Sequence, residues 1–284
     1  MRIGFIGAGR AGSSLGMYFV RCGLSVCGYY SLDPKDAKFA AKNTNSRSYD
    51  LPFSLILDAD IIIISVPDDN IEDTALEVIK SAAPLGGKIF LHLSGVHSSK
   101  ILENLKENGA YTASIHPAYT FTTPESVPDK LNFTAEGDQK ALKPFLDAGL
   151  DITEISAEQK AAYHAAAVFV SNYLVALFAA GDKLLEAAGI NSTAGELFAN
   201  LSRAALENVI NHGTKKALSG PIARGDLKTV SAHLKVMPNE LLGLYQSLGD
   251  EIVGISDLDD ETRKKMQNTI REMELKYENY NSHT

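Results

Sequence analysis

The sequence predicts an α/β chain in two parts: a parallel-sheet domain over residues 1–155 and an all-helical domain over residues 156–284. Three observations carry this. Strand and helix signals alternate through the first half, the pattern of a parallel sheet with helices on its faces. Near residue 155 prolines and β-branched runs thin out, and helical periodicity takes over. The length of 284 residues suits two domains of ordinary size.

Taken in order, Arg2–Ile6 is a short apolar strand and residues 13–22 read as the helix after it. Ser25–Tyr30 is the second strand, and residues 36–42 a short helix. Residues 61–66 are wholly apolar and β-branched, as expected of a central parallel strand covered on both faces. A helix over 71–82 and strands over 88–93, 111–115 and 132–135 complete the first part. In the second part, residues 160–188 are alanine-rich and lack proline, which predicts one long helix. Gly189 stops it, and Asn191, Ser192 and Thr193 can cap the next. Further helices are expected over 196–212, 226–235, 239–254 and 259–279. The last carries Met266, Ile270, Met273 and Tyr277 on one stripe.

A net charge of −8 argues against a nucleic-acid or anionic-membrane surface, which needs a basic excess. No contiguous apolar run approaches the ~20 residues that span a bilayer. The N-terminus shows no secretory pattern, so a soluble cytoplasmic protein is expected. Cys22 and Cys27 make no disulfide framework. The histidines lack tight ligand spacing, so no metal site is expected.

Gly7, Ala8, Gly9, Arg10, Ala11 and Gly12 form a G-x-G-x-x-G segment between a strand and a helix, at the first βα turn. Gly7 permits the tight turn, Gly9 lets the backbone approach a pyrophosphate, and Gly12 lets helix and strand pack closely. This is the phosphate loop of a Rossmann dinucleotide-binding domain. No acidic residue stands at the end of the second strand, where NAD-preferring sites hold the ribose 2′-hydroxyl. Ser31, with Arg10 and Lys35 nearby, can receive a 2′-phosphate, which favours NADP(H) over NAD(H). Val66 and Pro67 end the central strand and can pack beside the ribose or nicotinamide.

His92-Leu93-Ser94-Gly95, His116-Pro117, the segment from Lys160 through Tyr163 and His164 to Asn172, and the segment from Gly220 to Asp226 together resemble one family. It is that of Rossmann-like proteins with a DUF2520 C-terminal domain. That family sits within the superfamily of 6-phosphogluconate dehydrogenase, β-hydroxyacid dehydrogenases, pyrroline-5-carboxylate reductase and ketopantoate reductase. The resemblance covers nearly the whole chain. It implies an NAD(P)H-dependent oxidoreductase acting on a small 2-oxo acid, with ketopantoate first, and a homodimer formed through the helical domain. A cyclic imine, a β-hydroxy acid, or dinucleotide sensing without turnover are the alternatives. Relatives often place Ser-Arg after the second strand, where this chain has Ser31-Leu32.

Reducing a ketone needs a proton donor, groups that hold the substrate, and a dry site. Lys160 and His164, four apart on a predicted helix, share a face, and Asn172 lies about 80° round at ~100° per residue. In β-hydroxyacid dehydrogenases a Lys and an Asn four apart act here. Lys160 aligns with that Lys, and His164 replaces the Asn. Either Lys160 or His164 can be the general acid, and Lys160 can equally be a solvated first-turn lysine. Ser94 can contact cofactor or substrate. His92, two residues earlier, and His116, at another strand end, are substrate-binding candidates. Arg224 is a candidate carboxylate clamp. Asp226 matches in position an acid that ketopantoate reductases use, and is also well placed as an N-cap. Asn208 is a further substrate-contact candidate.

Overall fold

The structure, a computed structural model, describes residues 1–281, with side chains described as far as Arg271. Its strands are β1 (Arg2–Ile6), β2 (Ser25–Tyr30), β3 (Arg47–Tyr49), β4 (Ile61–Ile64), β5 (Ile89–His92), β6 (Tyr111–Pro117), β7 (Asn132–Gly137) and β8 (Asp151–Glu154). They form one sheet in the order β3-β2-β1-β4-β5-β6-β7-β8. The first six run parallel, β7 is antiparallel to β6, and β8 is parallel to β7. The order 3-2-1-4-5-6 is that of the Rossmann fold.

Side chains alternate across each strand, so each strand feeds two cores. Ile3, Phe5, Ile61, Ile63 and Leu91 face one core. Helices α1 (Arg10–Arg21), α2 (Pro34–Asn43) and α6 (Gln139–Asp147) cover it with Leu15, Phe19, Ala40, Leu142 and Phe145. Ile62, Ile64 and Phe90 face the other, under α3 (Pro52–Asp58), α4 (Ile71–Lys80) and α5 (Glu103–Glu107). This two-sided burial is why β4 is four consecutive isoleucines, all buried.

After β8 come α7 (Lys160–Val170), α8 (Asn172–Ala187), α9 (Ala194–Ala217), α10 (Leu227–Val236), α11 (Asn239–Ile255) and α12 (Asp260–Asn281). The chain divides into two compact units, 1–172 and 173–284. The expected boundary at 155 falls at the end of the sheet, and α7 is grouped with the sheet. In the second unit α10, α11 and α12 enclose Ile222, Val230, Leu234, Val253, Met266 and Ile270. The side chains of Met273 and Tyr277 lie outside the described residues.

The single long helix expected over 160–188 is instead two, α7 and α8. Ser171, between them, has a distorted helical backbone at φ −117°, ψ −70°, and its hydroxyl donates to the Ala167 carbonyl at 2.7 Å. Such back-bonding competes with the helical ladder. The stretch 157–187 is nonetheless long and apolar enough, by length and composition, to cross a membrane. The expectation from contiguous apolar runs overlooked it because its charged residues are scattered rather than absent.

Candidate functional site

Parallel strands bring their carboxyl ends to one edge of the sheet, and ligands of such sheets bind there. On this chain that edge carries, from β1 outward, Gly7, Ser65 after β4, Ser94 and Gly95 after β5, and His116 at the end of β6.

The glycine loop is built as the motif requires. Gly7 has φ +104°, and a Cβ there would come within 2.5 Å of the Ser65 carbonyl oxygen. A Cβ on Gly12 would stand 2.6 Å from Ser65 Oγ, so α1 sits tight on the strand ends. Ser65 Oγ donates to the Gly7 carbonyl at 2.8 Å, and Ser13 Oγ donates to the Ala8 carbonyl at 2.7 Å. A Cβ on Gly9 would meet nothing within 4 Å. Gly9 is the N-cap of α1 and offers no side-chain cap to the first backbone N–H groups of the helix, which a bound anion can take. Ala11 is half-buried and Arg10 exposed. This cradle fits a pyrophosphate. Ser31 is half-buried at the end of β2. Asp33 is used structurally, because its Oδ1 accepts the Lys35 N–H at 2.9 Å as the N-cap of α2. Val66 is half-buried and Pro67 exposed at the end of β4.

A second constellation lies farther along the same edge. Ser156 and Gln159 form a capping box that starts the helical segment before Lys160. Lys160 is 1% exposed, which overturns the solvated reading. Its Nζ donates to the Ser94 carbonyl at 2.9 Å and to Ser114 Oγ at 2.5 Å. Burial lowers its pKa to about 8, while Glu136 and Asp68 pull the other way. Glu136 lies opposite Ser114 across β6 and β7, and accepts from the Ser99 backbone N–H at 2.5 Å and Ser99 Oγ at 2.9 Å.

Ser94 is fully engaged. Its hydroxyl donates to Asp68 Oδ2 at 2.9 Å and accepts the N–H groups of Val96 and His97. His92, expected to touch substrate, is instead completely buried, and its Nδ1 accepts the Ser94 N–H at 3.2 Å. Burial, with the Lys160 charge, lowers its pKa to about 3, so the ring is neutral. His92 therefore shapes the loop after β5 from behind.

His116 and His164 are half-buried. Their rings stand perpendicular with centroids 6.0 Å apart. Gly95 lies under both: a Cβ there would come within 2.5 Å of His164 Nδ1 and 3.0 Å of His116 Nε2. Burial first, then the Lys160 charge, lowers the His116 pKa to about 4. Its Nδ1 is 2.8 Å from the Tyr163 hydroxyl. The structure thus brings Ser94, His116, Lys160 and His164 together.

The remaining candidates are described within their own units. Asn172 is exposed at the start of α8 and accepts from Ser171 Oγ at 3.0 Å. Asn208 and Arg224 are exposed residues of the second unit. Asp226 caps α10, with Oδ1 accepting the Thr229 N–H at 3.1 Å and Oδ2 the Thr229 hydroxyl at 2.7 Å. Those hydrogen bonds hold its carboxyl below the usual range. Sequence reasoning gave no role to Tyr163, Gly95, Ser114, Glu136 or Asp68. Tyr163 carried a signal, three residues from Lys160 on the same helix.

Comparison with known proteins agrees with the architecture. Residues 1–117 match the Rossmann-like domain, and residues 132–252 match DUF2520, a domain of unknown function. The chain is a Rossmann-like protein with a DUF2520 domain. The DUF2520 match begins at β7, within the sheet, so the His116 and Lys160 positions fall under different matches. No curated protein matches the chain. Among solved structures, a Bacteroides fragilis protein assigned as an NADP oxidoreductase is similar at 20% identity, 88% of this chain and 97% of its own, with TM-score 0.70. A Thermotoga maritima protein is similar at 24% identity, 96% and 99% coverage and TM-score 0.64. An imine reductase from Myxococcus stipitatus, in complex with NADP+, is similar at 17% identity, 96% and 93% coverage and TM-score 0.60. At these identities the likeness shows a shared fold for the DUF2520 protein.

Proposed function

We propose that this chain is an NADP(H)-dependent oxidoreductase that reduces a small 2-oxo acid, with ketopantoate the first substrate to try. The observation that carries the reading is one sheet edge holding both an open glycine cradle and a cluster of a buried lysine with two half-buried imidazoles. NADP(H) is supported over NAD(H) by Ser31 in place of an acid, and by the solved structures of like fold that are named for or hold NADP.

A dinucleotide held by that cradle would supply a hydride from its reduced nicotinamide. The chain's own residues do the rest. The N-terminus of α1 holds the phosphates. Lys160 has its Nζ engaged and is 1% exposed, so it anchors the loop after β5 and lends positive potential. His164 is the better placed of the two to protonate the developing alkoxide, because it is only half-buried. His116 orients the carbonyl oxygen by a hydrogen bond.

A cyclic imine is the second reading, favoured by the likeness to an imine reductase. The test is oxidation of NADPH and NADH with ketopantoate, pyruvate, 2-oxoisovalerate and pyrroline-5-carboxylate. The proposal expects NADPH oxidation with a 2-oxo acid. Turnover of the imine alone would move the assignment to the second reading. Tight NADPH binding with no turnover would leave a dinucleotide sensor.

A further inference from the structure

Tyr163 lies outside the Lys160–His164 pairing, yet it makes the closest polar contact that either half-buried imidazole has. Its hydroxyl is 2.8 Å from His116 Nδ1, and its ring meets the imidazole edge-on, with centroids 5.5 Å apart at 79°. The two residues come from different elements, α7 and the end of β6. The other nitrogen of His116, Nε2, lies beside Gly95 together with His164 Nδ1, which is buried without a hydrogen-bond partner among the described residues.

The charged and titratable groups of this cluster come from three elements and one loop. Lys160, Tyr163 and His164 stand on α7, His92 ends β5, Glu136 is on β7, and Asp68 follows β4. The two carboxylates are occupied, Asp68 by the Ser94 hydroxyl and Glu136 by Ser99. Burial, and then the Lys160 ammonium, disfavour an imidazolium, and together they outweigh the Asp68 carboxylate, which favours one. A neutral imidazole has one donor nitrogen and one acceptor nitrogen, and the hydrogen bond at one decides the role of the other. A phenol is a stronger acid than a neutral imidazole N–H, so Tyr163 donates and His116 Nδ1 accepts. The proton of His116 is then on Nε2.

We propose that Tyr163 is a positioning residue: its hydroxyl fixes His116 in the Nε2–H form, so that an uncharged donor beside Gly95 selects a carbonyl oxygen over an iminium nitrogen. A carbonyl oxygen accepts that hydrogen bond, and accepts it more strongly as negative charge develops. A protonated imine has no lone pair to offer and is repelled by Lys160. The inference rests on the reductase reading and narrows it to ketone substrates.

The first test needs no substrate. Histidine-15N-labelled full-length protein is examined by long-range 1H–15N correlation, with the His116 signals assigned by their loss in His116→Gln. The proposal expects the Nε2–H pattern for His116, and a shift towards the Nδ1–H form in Tyr163→Phe, which keeps the ring. A wild-type Nδ1–H pattern, or no change in Tyr163→Phe, would overturn it, whatever reaction the protein catalyses. The second test is kinetic. Tyr163→Phe should lower kcat on the best 2-oxo acid by about tenfold to a hundredfold, the size of effect expected when a reacting group is misplaced. The KM for NADPH should stay unchanged, and the ratio of ketone to cyclic-imine turnover should fall. A purely structural role would lower both turnovers equally, and that result also counts against the proposal. If no ketone or imine turns over, the reductase reading fails while the tautomer result still stands or falls alone.

Discussion

Lys160 is the residue on which the site's protonation depends. Its ammonium is tied to the Ser94 carbonyl and Ser114 Oγ, and its charge bears on both His92 and His116. Lys160→Met keeps the length of the side chain and removes the charge. The His116 titration midpoint, followed by NMR, should rise from about 4, although burial will still hold it below an ordinary histidine. An unchanged midpoint would mean that burial alone holds it down. Several of these residues were legible in the sequence. The four-residue spacing pointed to Lys160 and His164, and strand-end placement pointed to Ser94 and His116. The burial of Lys160 was not legible, because a lysine in a first helical turn ordinarily snorkels to water. Ser114 and Glu136 were invisible for a related reason. Each takes its role from a residue far along the chain, Lys160 for Ser114 and Ser99 for Glu136.

At the scale of elements, the glycine loop makes the strongest demand on local geometry. Gly7→Ala would force a Cβ into a left-handed conformation against the Ser65 carbonyl. It should cost about 2 kcal/mol in urea unfolding and weaken NADPH binding more than tenfold. Full stability with unchanged NADPH binding would show that the loop does not hold the phosphates. The cap of α10 allows a sharper choice. Asp226→Ala should lower stability by the loss of this cap, with little change in KM. A raised KM at unchanged stability would instead make Asp226 a substrate ligand. The pattern of alternating elements was readable because central strands are apolar on both faces. Strands β3 and β8 were missed because they are short edge strands with little burial and no period. Helix α6 was missed because Pro144 sits inside it, and α3 because it spans only seven residues. The break between α7 and α8 turns on one hydroxyl, that of Ser171, in an otherwise uniform alanine-rich run.

Across the whole molecule, the buried His92 and the half-buried His116 make stability depend on pH. His92 and His116 titrate near 3 and 4 when folded, against about 6.5 when unfolded. The unfolded chain therefore binds more protons below pH 6.5, and stability is lost as pH falls from there towards 4. At about 1.4 kcal/mol per unit, His92 contributes on the order of 5 kcal/mol and the less buried His116 up to about 3 kcal/mol, fully present only above pH 6.5. Lys160, lowered to about 8, adds a second rise in stability between pH 8 and its ordinary value of 10.5. Urea unfolding at pH 4.5, 7 and 9.5 should give increasing stability, and a flat profile would contradict the assigned burial. The exposed apolar residues of α8 and α9, among them Val175, Leu201 and Ile210, lead us to propose that a second copy of the chain covers them. Light scattering should then report twice the monomer mass of 30.6 kDa, and a monomer at micromolar concentration would contradict this.

The central claim, that this sheet edge brings a reduced nicotinamide to a ketone, is tested most directly by isotope transfer. The protein is incubated with NADPH deuterated at C4, on each face in turn, and ketopantoate, pyruvate or 2-oxoisovalerate, and the hydroxy acid product is weighed by mass spectrometry. The account predicts a product heavier by one deuterium from one of the two faces, formed with wild-type protein and lost in Gly7→Ala. A product without deuterium from either face, or no hydroxy acid from any of the three, would contradict it.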